Sequence, residues 1–277
     1  MAKIDLHMHS TASDGVYSPS ELVRTALERG LSVIALTDHD SLEGVPEAVA
    51  AAKDTGLTVI AGLELGCENG PRDVHVLGYG LDPYDEELRN KLAEMRDYRE
   101  HRAERIVEKL NGLGIPVTYE RICEIAGEGV IARPHIARAM IEVGAVADYQ
   151  EAFDKYIHND GPAYVPRLRI SPEGGINLIH QAGGVAVVAH PCRYADPIGV
   201  VREFAGHGVD GVEIFYPDNS PQLRDKLNEV ADELGLIKTG GCDFHRPGPK
   251  NDLIMGCEDV PQSAVDSIMA RAERYRV

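Results

Sequence analysis

Tryptophan, other aromatic side chains and basic residues are scarce in this chain of 277 residues. There is no tryptophan and aromatic residues make up 5%, while glycine and alanine are plentiful, which suits a tightly packed α/β protein. The 28 lysines and arginines stand against 45 acidic residues, so the formal net charge is −17. Because such a surface repels nucleic-acid backbones, we expect no duplex-binding face. A small phosphorylated ligand in a local basic pocket remains compatible with this charge.

Paired cysteines and long hydrophobic runs are also missing. The five cysteines form no C-x-x-C pair, which argues against a disulfide framework or a thiolate zinc site and for a reducing compartment. The start of the chain carries no signal-peptide h-region, and the most apolar run, residues 185–189, is too short to span a bilayer. We therefore expect a soluble cytoplasmic protein with no membrane contact and no obligatory protein partner.

Short apolar runs of strand length recur along the chain, and helical patterns separate most of them. They lie at residues 4–6, 31–36, 57–65, 74–79, 185–189, 209–215 and 236–240. Continuous apolar strands that alternate with helices indicate a parallel sheet covered on both faces. Seven such strands close most naturally as an α/β barrel, where the chemistry sits at the C-terminal strand ends.

This alternation is interrupted in the middle of the chain. Residues 85–113 form a long, charged helical pattern, and further helical segments follow at residues 119–126, 133–143 and 148–156. Because no strand pattern occurs here, we predict a helical insert at residues 95–165. The barrel domain would then comprise residues 1–94 and 166–277.

Side chains that bind metals stand at or near six of the predicted strand ends. Imidazole and carboxylate ligands without thiolates suit zinc, manganese or iron in a catalytic site. The set exceeds the needs of one ion, so we predict two or three divalent ions that share a bridging carboxylate, Glu64 or Asp243. Such ions lower the pKa of a bound water and make metal-bound hydroxide available as the nucleophile. The predicted ligands are His7, His9, Asp14, His39, Glu64, His75, His190, Asp243 and His245.

Several of these residues also have simpler interpretations when each is taken alone. His75 lies in an alternating strand and could be a buried core histidine, and Glu64 could be an ordinary strand-end acid. Asp38 and Asp40 flank His39. They could be residues that hydrogen-bond to the ligands and support them, or ordinary surface residues. The recurrence of ligand-type residues at six strand ends favours a polynuclear site.

The motifs D-L-H-M-H-S, T-D-H-D, G-L-E, A-H-P and G-C-D-F-H occur in this order over essentially the whole chain. The chain thereby resembles the PHP family, named for polymerases and histidinol phosphatase. This resemblance implies a distorted (β/α)7 barrel with up to three metals, phosphoester hydrolysis, and ligand roles for all nine residues. We favour manganese as the metal.

Within that family, the helical insert and the motif I-A-R-P-H at residues 131–135 resemble a narrower branch. Members of this branch act on nucleoside 3′,5′-bisphosphates, and relatives also trim short RNA from the 5′ end. Asp14 stands where some family members place histidine, which fits this branch. The expected substrate is thus a small phosphorylated nucleotide, with short RNA as a further one.

Hydrolysis of a phosphate ester also needs cations around the phosphoryl group. Arg99 and Arg102 lie three residues apart on one helical face, and we expect the insert to cap the barrel mouth. Arg133 and His135 open the next helical segment, where backbone N–H groups favour anions. These four residues are the predicted substrate contacts, although a solvated helix with ion pairs explains Arg99 and Arg102 equally well. Lys250 is a weaker candidate.

Four functions compete on these grounds. The first is removal of the 3′-phosphate from a nucleoside 3′,5′-bisphosphate, in which His245 or a metal-bound water protonates the leaving oxygen. The second is the same chemistry on histidinol phosphate or another small monoester. The third is a binding or regulatory module with a relic metal site. The fourth is a metal-dependent amidohydrolase, which often uses a carboxylated barrel lysine, and no lysine stands at a strand end among these motifs.

Overall fold

A computed structural model of the chain provides the structure. It describes residues 3–70, 72–126, 133–158, 161–165, 170–247 and 255–276, with the side chains of residues 99 and 100 left out. The backbone divides into two compact units. The larger unit joins Met1–Leu92 to Arg169–Val277, and the smaller unit is Ala93–Leu168. The capping role predicted for the insert remains a prediction.

Seven strands form one sheet in the larger unit, and their order in the sheet follows the chain. The first three strands are parallel to one another, as are the last three, while the fourth is antiparallel to both neighbours. The strands are β1 (Lys3–Asp5), β2 (Leu31–Leu36), β3 (Thr58–Asn69), β4 (Arg72–Tyr79), β5 (Val185–Val188), β6 (Gly211–Phe215) and β7 (Ile237–Gly240).

The first and last strands lie side by side, so the sheet curves into a barrel. The backbone N–H of Leu6 donates to the Gly240 carbonyl at 3.2 Å, and that of His9 donates to the Phe244 carbonyl at 2.8 Å. A Cβ on Gly241 would clash with the backbone nitrogen of His7, so glycine allows this close approach. The predicted (β/α)7 barrel is confirmed.

The expectation of an all-parallel sheet is wrong for β4. Only residues 70 and 71 separate β3 from β4, and a crossover to a parallel neighbour needs a dozen residues or more. The two strands therefore form an antiparallel hairpin. β3 also continues to Asn69, four residues beyond the predicted end of this strand at residue 65.

Helices account for most of the remaining described chain. They are α1 (Pro19–Glu28), α2 (Val45–Ala52), α3 (Glu86–Glu100), α4 (Arg102–Gly112), α5 (Tyr119–Ala126), α6 (Arg133–Glu142), α7 (Tyr149–Ala152), α8 (Pro172–Gln181), α9 (Pro197–Gly206), α10 (Pro221–Leu234) and α11 (Gln262–Ala272). A π-helical turn, Phe153–Ile157, follows α7, and a 3₁₀ turn, Pro191–Arg193, follows β5.

Local sequence explains where these helices begin and end. Ser18 caps α1 through a reciprocal pair of bonds with Glu21, and Pro19 occupies the first turn. The single long helix predicted over residues 85–113 is two helices that meet at His101. The His101 imidazole donates to the Asp97 carbonyl, which also accepts the His101 backbone N–H.

Each unit has its own apolar core. Inside the barrel, strand residues such as Ile4, Ala35 and Val187 pack with Ile268 of α11, a helix that we did not predict. In the smaller unit, α4, α5 and α6 contribute Leu110, Ile122 and Met140 to a separate cluster, alongside other apolar residues.

None of the described helices is long and apolar enough to cross a membrane. All five cysteines are free thiols in the structure. A cytoplasmic location remains a prediction.

Candidate metal centre

All nine predicted ligands lie in the larger unit, and the structure brings them into one cluster. β1, β2, β5 and β7 deliver their residues in the segments that leave their C-terminal ends. Glu64 and His75 lie inside β3 and β4, which extend further. Isolated β-bridges, which are backbone pairings, join His39 to Glu64 and Met8 to Phe244 and align these segments with one another.

Glu64 occupies the centre of the cluster and is buried. Its Oε2 atom lies 3.2 Å from Nε2 of His7, 3.2 Å from Nε2 of His9 and 3.3 Å from Nδ1 of His39. Its Oε1 atom lies 2.6 Å from Nδ1 of His75 and 2.8 Å from Nε2 of His190. The two carboxylate oxygens therefore face different histidines, as a carboxylate that bridges two ions requires.

Asp243 presents one oxygen to the same cluster. Its Oδ1 atom lies 3.1 Å from Nε2 of His9, 3.4 Å from Nε2 of His7 and 3.5 Å from Nδ1 of His245. The Oδ2 atom accepts hydrogen bonds from Arg193 at 2.7 Å and from the Tyr216 hydroxyl at 3.0 Å. Asp243 is thus held so that Oδ1 alone faces the histidines.

Asp14 lies on the exposed side of the cluster. Its carboxylate lies 3.3 Å from Nε2 of His245, and 3.8 Å from both His9 and His39. His245 also donates from Nδ1 to the Asp243 carbonyl at 2.9 Å. That bond fixes the ring and directs Nε2 towards Asp14.

The donor atoms fit divalent metal ions. In three groups they lie within 4.8 Å of one another, and every donor is an imidazole nitrogen or a carboxylate oxygen. Nδ1 of His9 and Nδ1 of His190 are buried without a hydrogen-bond partner, which is costly unless another partner binds there. The groups are His9, Asp14, His39 and His245; His7, His9, Glu64 and Asp243; and His39, Glu64 and His75.

The buried carboxylates of the cluster need positive charge beside them, which protonated histidines or bound cations can supply. Burial acts to raise the pKa of Glu64, but nearby histidines, His7 above all, hold it well below its ordinary value. Burial acts to lower the pKa of His9, yet hydrogen bonds to Asp243 and Glu64 raise it to about 9. Burial lowers the pKa of His39 to about 4. The buried carboxylates therefore stay ionised.

Sequence reasoning missed the buried acids that orient the cluster. Glu213 accepts a hydrogen bond from Nδ1 of His7 at 2.9 Å and one from the His190 backbone N–H at 2.7 Å. Asp5 accepts from the backbone N–H groups of His7 and Cys242. A charged residue inside the apolar strand Gly211–Phe215 was the available signal for Glu213.

Asp38 and Asp40, which could have been surface residues, are both buried. Asp38 accepts three hydrogen bonds, from the backbone and hydroxyl of Ser10 and from the hydroxyl of Ser13. Asp40 accepts from the Gly66 backbone N–H at 2.8 Å. Both acids therefore hold the loops that carry the predicted ligands.

The backbone is strained at several of these strand ends. Among the described residues, four that are not glycine have positive φ, and three belong to this region: Asp40 at 47°, His190 at 28° and Asp243 at 53°. Such conformations persist where the surrounding contacts impose them, and they concentrate at functional sites.

The predicted substrate contacts lie in the smaller unit. Nε of Arg102 donates to the Val165 carbonyl at 2.9 Å, and Nη1 of Arg133 donates to the Ile157 carbonyl at 3.1 Å. His135 lies in the first turn of α6 and is partly buried. The Arg99 side chain and Lys250 lie outside the described residues. Substrate binding by these residues remains a prediction.

Barrel and cluster together define a class, that of α/β-barrel enzymes whose potential metal ligands gather at one end of the barrel. The model of the PHP domain family matches residues 5–156. The chain belongs to this family, as its motifs predicted, and it is a hydrolase of the phosphoesterase type.

Relatives with known names match nearly the whole chain. A 5′-3′ exoribonuclease of Haemophilus influenzae is 37% identical over 249 residues, which cover 88% of this chain and 90% of the relative. A 3′,5′-nucleoside bisphosphate phosphatase of Chromobacterium violaceum is 36% identical over 270 residues, or 94% of this chain and 93% of the relative.

A solved structure from Chromobacterium violaceum, described as an amidohydrolase with bound sulfate and no metal, superposes on the chain with a TM-score of 0.71. It is 34% identical, and the match covers 98% of this chain and 97% of that one.

Proposed function

We propose that this protein removes the 3′-phosphate from nucleoside 3′,5′-bisphosphates, for example converting adenosine 3′,5′-bisphosphate to AMP. The observation that carries the proposal is the convergence of five histidines on the Glu64 carboxylate. This arrangement stands in a chain that is 36% identical to a named 3′,5′-nucleoside bisphosphate phosphatase.

The nine clustered side chains would hold two or three divalent ions, with manganese favoured over zinc and iron, and Glu64 as the bridging carboxylate. When bound, such ions supply positive charge to phosphoryl oxygens and lower the pKa of a coordinated water. The ligands are His7, His9, Asp14, His39, Glu64, His75, His190, Asp243 and His245.

The protein's own groups would orient the reaction and handle the proton. Glu213 fixes the His7 ring, so that Nε2 points towards Glu64. The bond to the Asp243 carbonyl leaves Nε2 as the ring nitrogen of His245 that could hold an ion. The leaving 3′-oxygen would therefore take its proton from a coordinated water or, if His245 is not a ligand, from this Nε2 atom.

We also propose that Arg99, Arg102, Arg133 and His135 bind the phosphate groups of the substrate. A bisphosphate carries more negative charge than a monoester, and a planar guanidinium binds phosphate oxygens in pairs. Main-chain carbonyls already orient Arg102 and Arg133, which reduces the entropy lost when they bind substrate.

A second activity follows from another relative. The 37% identical Haemophilus influenzae protein is named a 5′-3′ exoribonuclease, so we propose that short 5′-phosphorylated RNA is a further substrate. Stepwise trimming from the 5′ end requires the same phosphoester hydrolysis at the same cluster. A 5′-phosphorylated and a 5′-hydroxyl form of one short RNA would test it, because only the phosphorylated form should be trimmed.

The main test is a comparison of substrates on the manganese-loaded protein. We expect phosphate release from adenosine 3′,5′-bisphosphate, and chromatography should identify the nucleotide product as 5′-AMP. Glu64→Gln should lose this activity, and Arg202→Gln, which changes an exposed pair with Glu233 on the outer helices, should keep it. Much faster turnover of histidinol phosphate would contradict the proposal and favour the second function.

A further inference from the structure

Arg193 stands beside the cluster and belongs to the larger unit. It ends the 3₁₀ turn that follows His190, so the strand that delivers His190 also places this guanidinium. Nη2 of Arg193 donates to Asp243 Oδ2 at 2.7 Å and to the Tyr216 hydroxyl at 2.6 Å. The motifs that identified the nine ligands do not include this arginine.

Buried groups fix the orientation of Arg193. Tyr216 is 2% exposed, and its hydroxyl donates to Asp243 Oδ2 at 3.0 Å, so its remaining lone pairs accept from the arginine. The Arg193 guanidinium also lies 5.7 Å from the centre of the Tyr216 ring. Asp243 and Tyr216 together hold one edge of the guanidinium in a single position.

The other edge of the Arg193 guanidinium is available for a ligand. The Arg193 side chain is 50% exposed, and within the described part of the chain only its Nη2 atom donates a hydrogen bond. The Nε and Nη1 donors share the rigid plane of Nη2. A fixed, half-exposed guanidinium next to Asp243 therefore has its Nε and Nη1 donors available for an anion.

We propose that Arg193 binds the phosphoryl group of the substrate through Nε–H and Nη1–H, while Nη2 remains on Asp243. This inference rests on the proposed function, because it adds a phosphate-binding residue to that site. The ligand class is a phosphate monoester or inorganic phosphate, whose oxygens match the spacing of the guanidinium donors.

Calorimetric titration of the manganese-loaded protein with inorganic phosphate tests this assignment directly. Arg193→Met should raise the Kd for phosphate about 10- to 100-fold, the range for loss of hydrogen bonds between charged groups. Arg193→Lys should recover part of that loss. Tyr216→Phe, which releases the guanidinium from its hydroxyl partner, should raise the Kd about 2- to 10-fold. The matched control is Arg202→Met, an exposed arginine on α9, with an expected Kd equal to that of the wild type.

The metal content and thermal unfolding of each variant separate binding from support of Asp243. The proposal requires that Arg193→Met keep its manganese and its fold while losing affinity for phosphate. An unchanged Kd, or a loss of affinity that only follows a loss of manganese, would overturn it. Because the titration uses no nucleotide, its outcome does not depend on whether adenosine 3′,5′-bisphosphate is the substrate.

Discussion

Replacing Glu213 with glutamine keeps the size of this side chain but removes one of its two acceptor oxygens. In the wild type, one oxygen accepts from Nδ1 of His7 at 2.9 Å and the other from the His190 backbone N–H at 2.7 Å. All three residues are buried. Glutamine offers a single oxygen, so one buried donor loses its partner.

Two effects follow, and their sizes are predictable. An unsatisfied buried donor costs about 1 to 3 kcal/mol of the free energy of unfolding. This lowers the melting temperature by about 2 to 4 °C per kcal/mol for a domain of this size. Loss of the carboxylate that orients His7 should weaken manganese binding by about 10- to 100-fold.

Thermal unfolding with EDTA measures the first effect, and phosphate release as a function of manganese concentration measures the second. Activity of Glu213→Gln should recover at high manganese concentration, because its direct ligands are intact. Glu233→Gln is the control, since its exposed pair with Arg202 is screened by solvent and should contribute little to stability. If Glu213→Gln matched the wild type in both assays, Glu213 would not be the residue that orients His7.

Two further substitutions test other parts of the structure. Asp243→Asn keeps a side chain that tolerates the positive φ but removes the charge, so metal content and phosphate release should fall together; a fully active variant would contradict the site. Asp210, at the opposite end of the barrel, accepts from His180, Arg271 and Tyr275, so Asp210→Asn should cost about 3 kcal/mol of stability without changing kcat. Burial acts to raise the pKa of Asp210, but its hydrogen bonds keep it below the ordinary value of 3.8. The difference in the free energy of unfolding between wild type and Asp210→Asn should therefore be largest at neutral pH and shrink as the pH falls below 3.8. A difference that grew in acid would refute this.

The barrel was predictable because its strands are continuous apolar runs. The run at Leu31–Leu36, for example, has the same bounds as β2. Such runs predict buried strands, and polar residues directly after them must lie at one end of the barrel. This reasoning located His39 and His190 without any structure. It failed for the direction of β4, although the eight residues between the two predicted strands are already too few for a parallel crossover.

Other features could not be read from the sequence with the same rules. The inward face of α11 includes alanines at positions 264 and 272, which give a weak apolar signal. The contact of Arg193 with Asp243 joins residues 50 positions apart, and no local pattern records it. Arginines at three-residue spacing fit a solvated helix and a phosphate site equally well, so Arg102 remained ambiguous.

The metal content of the purified protein tests the central claim most directly. Elemental analysis after manganese loading and removal of free metal should find two or three divalent ions per chain, and Glu64→Gln should retain fewer. Wild-type protein that holds less than one ion per chain, yet releases phosphate at its full rate, would contradict this account of the cluster.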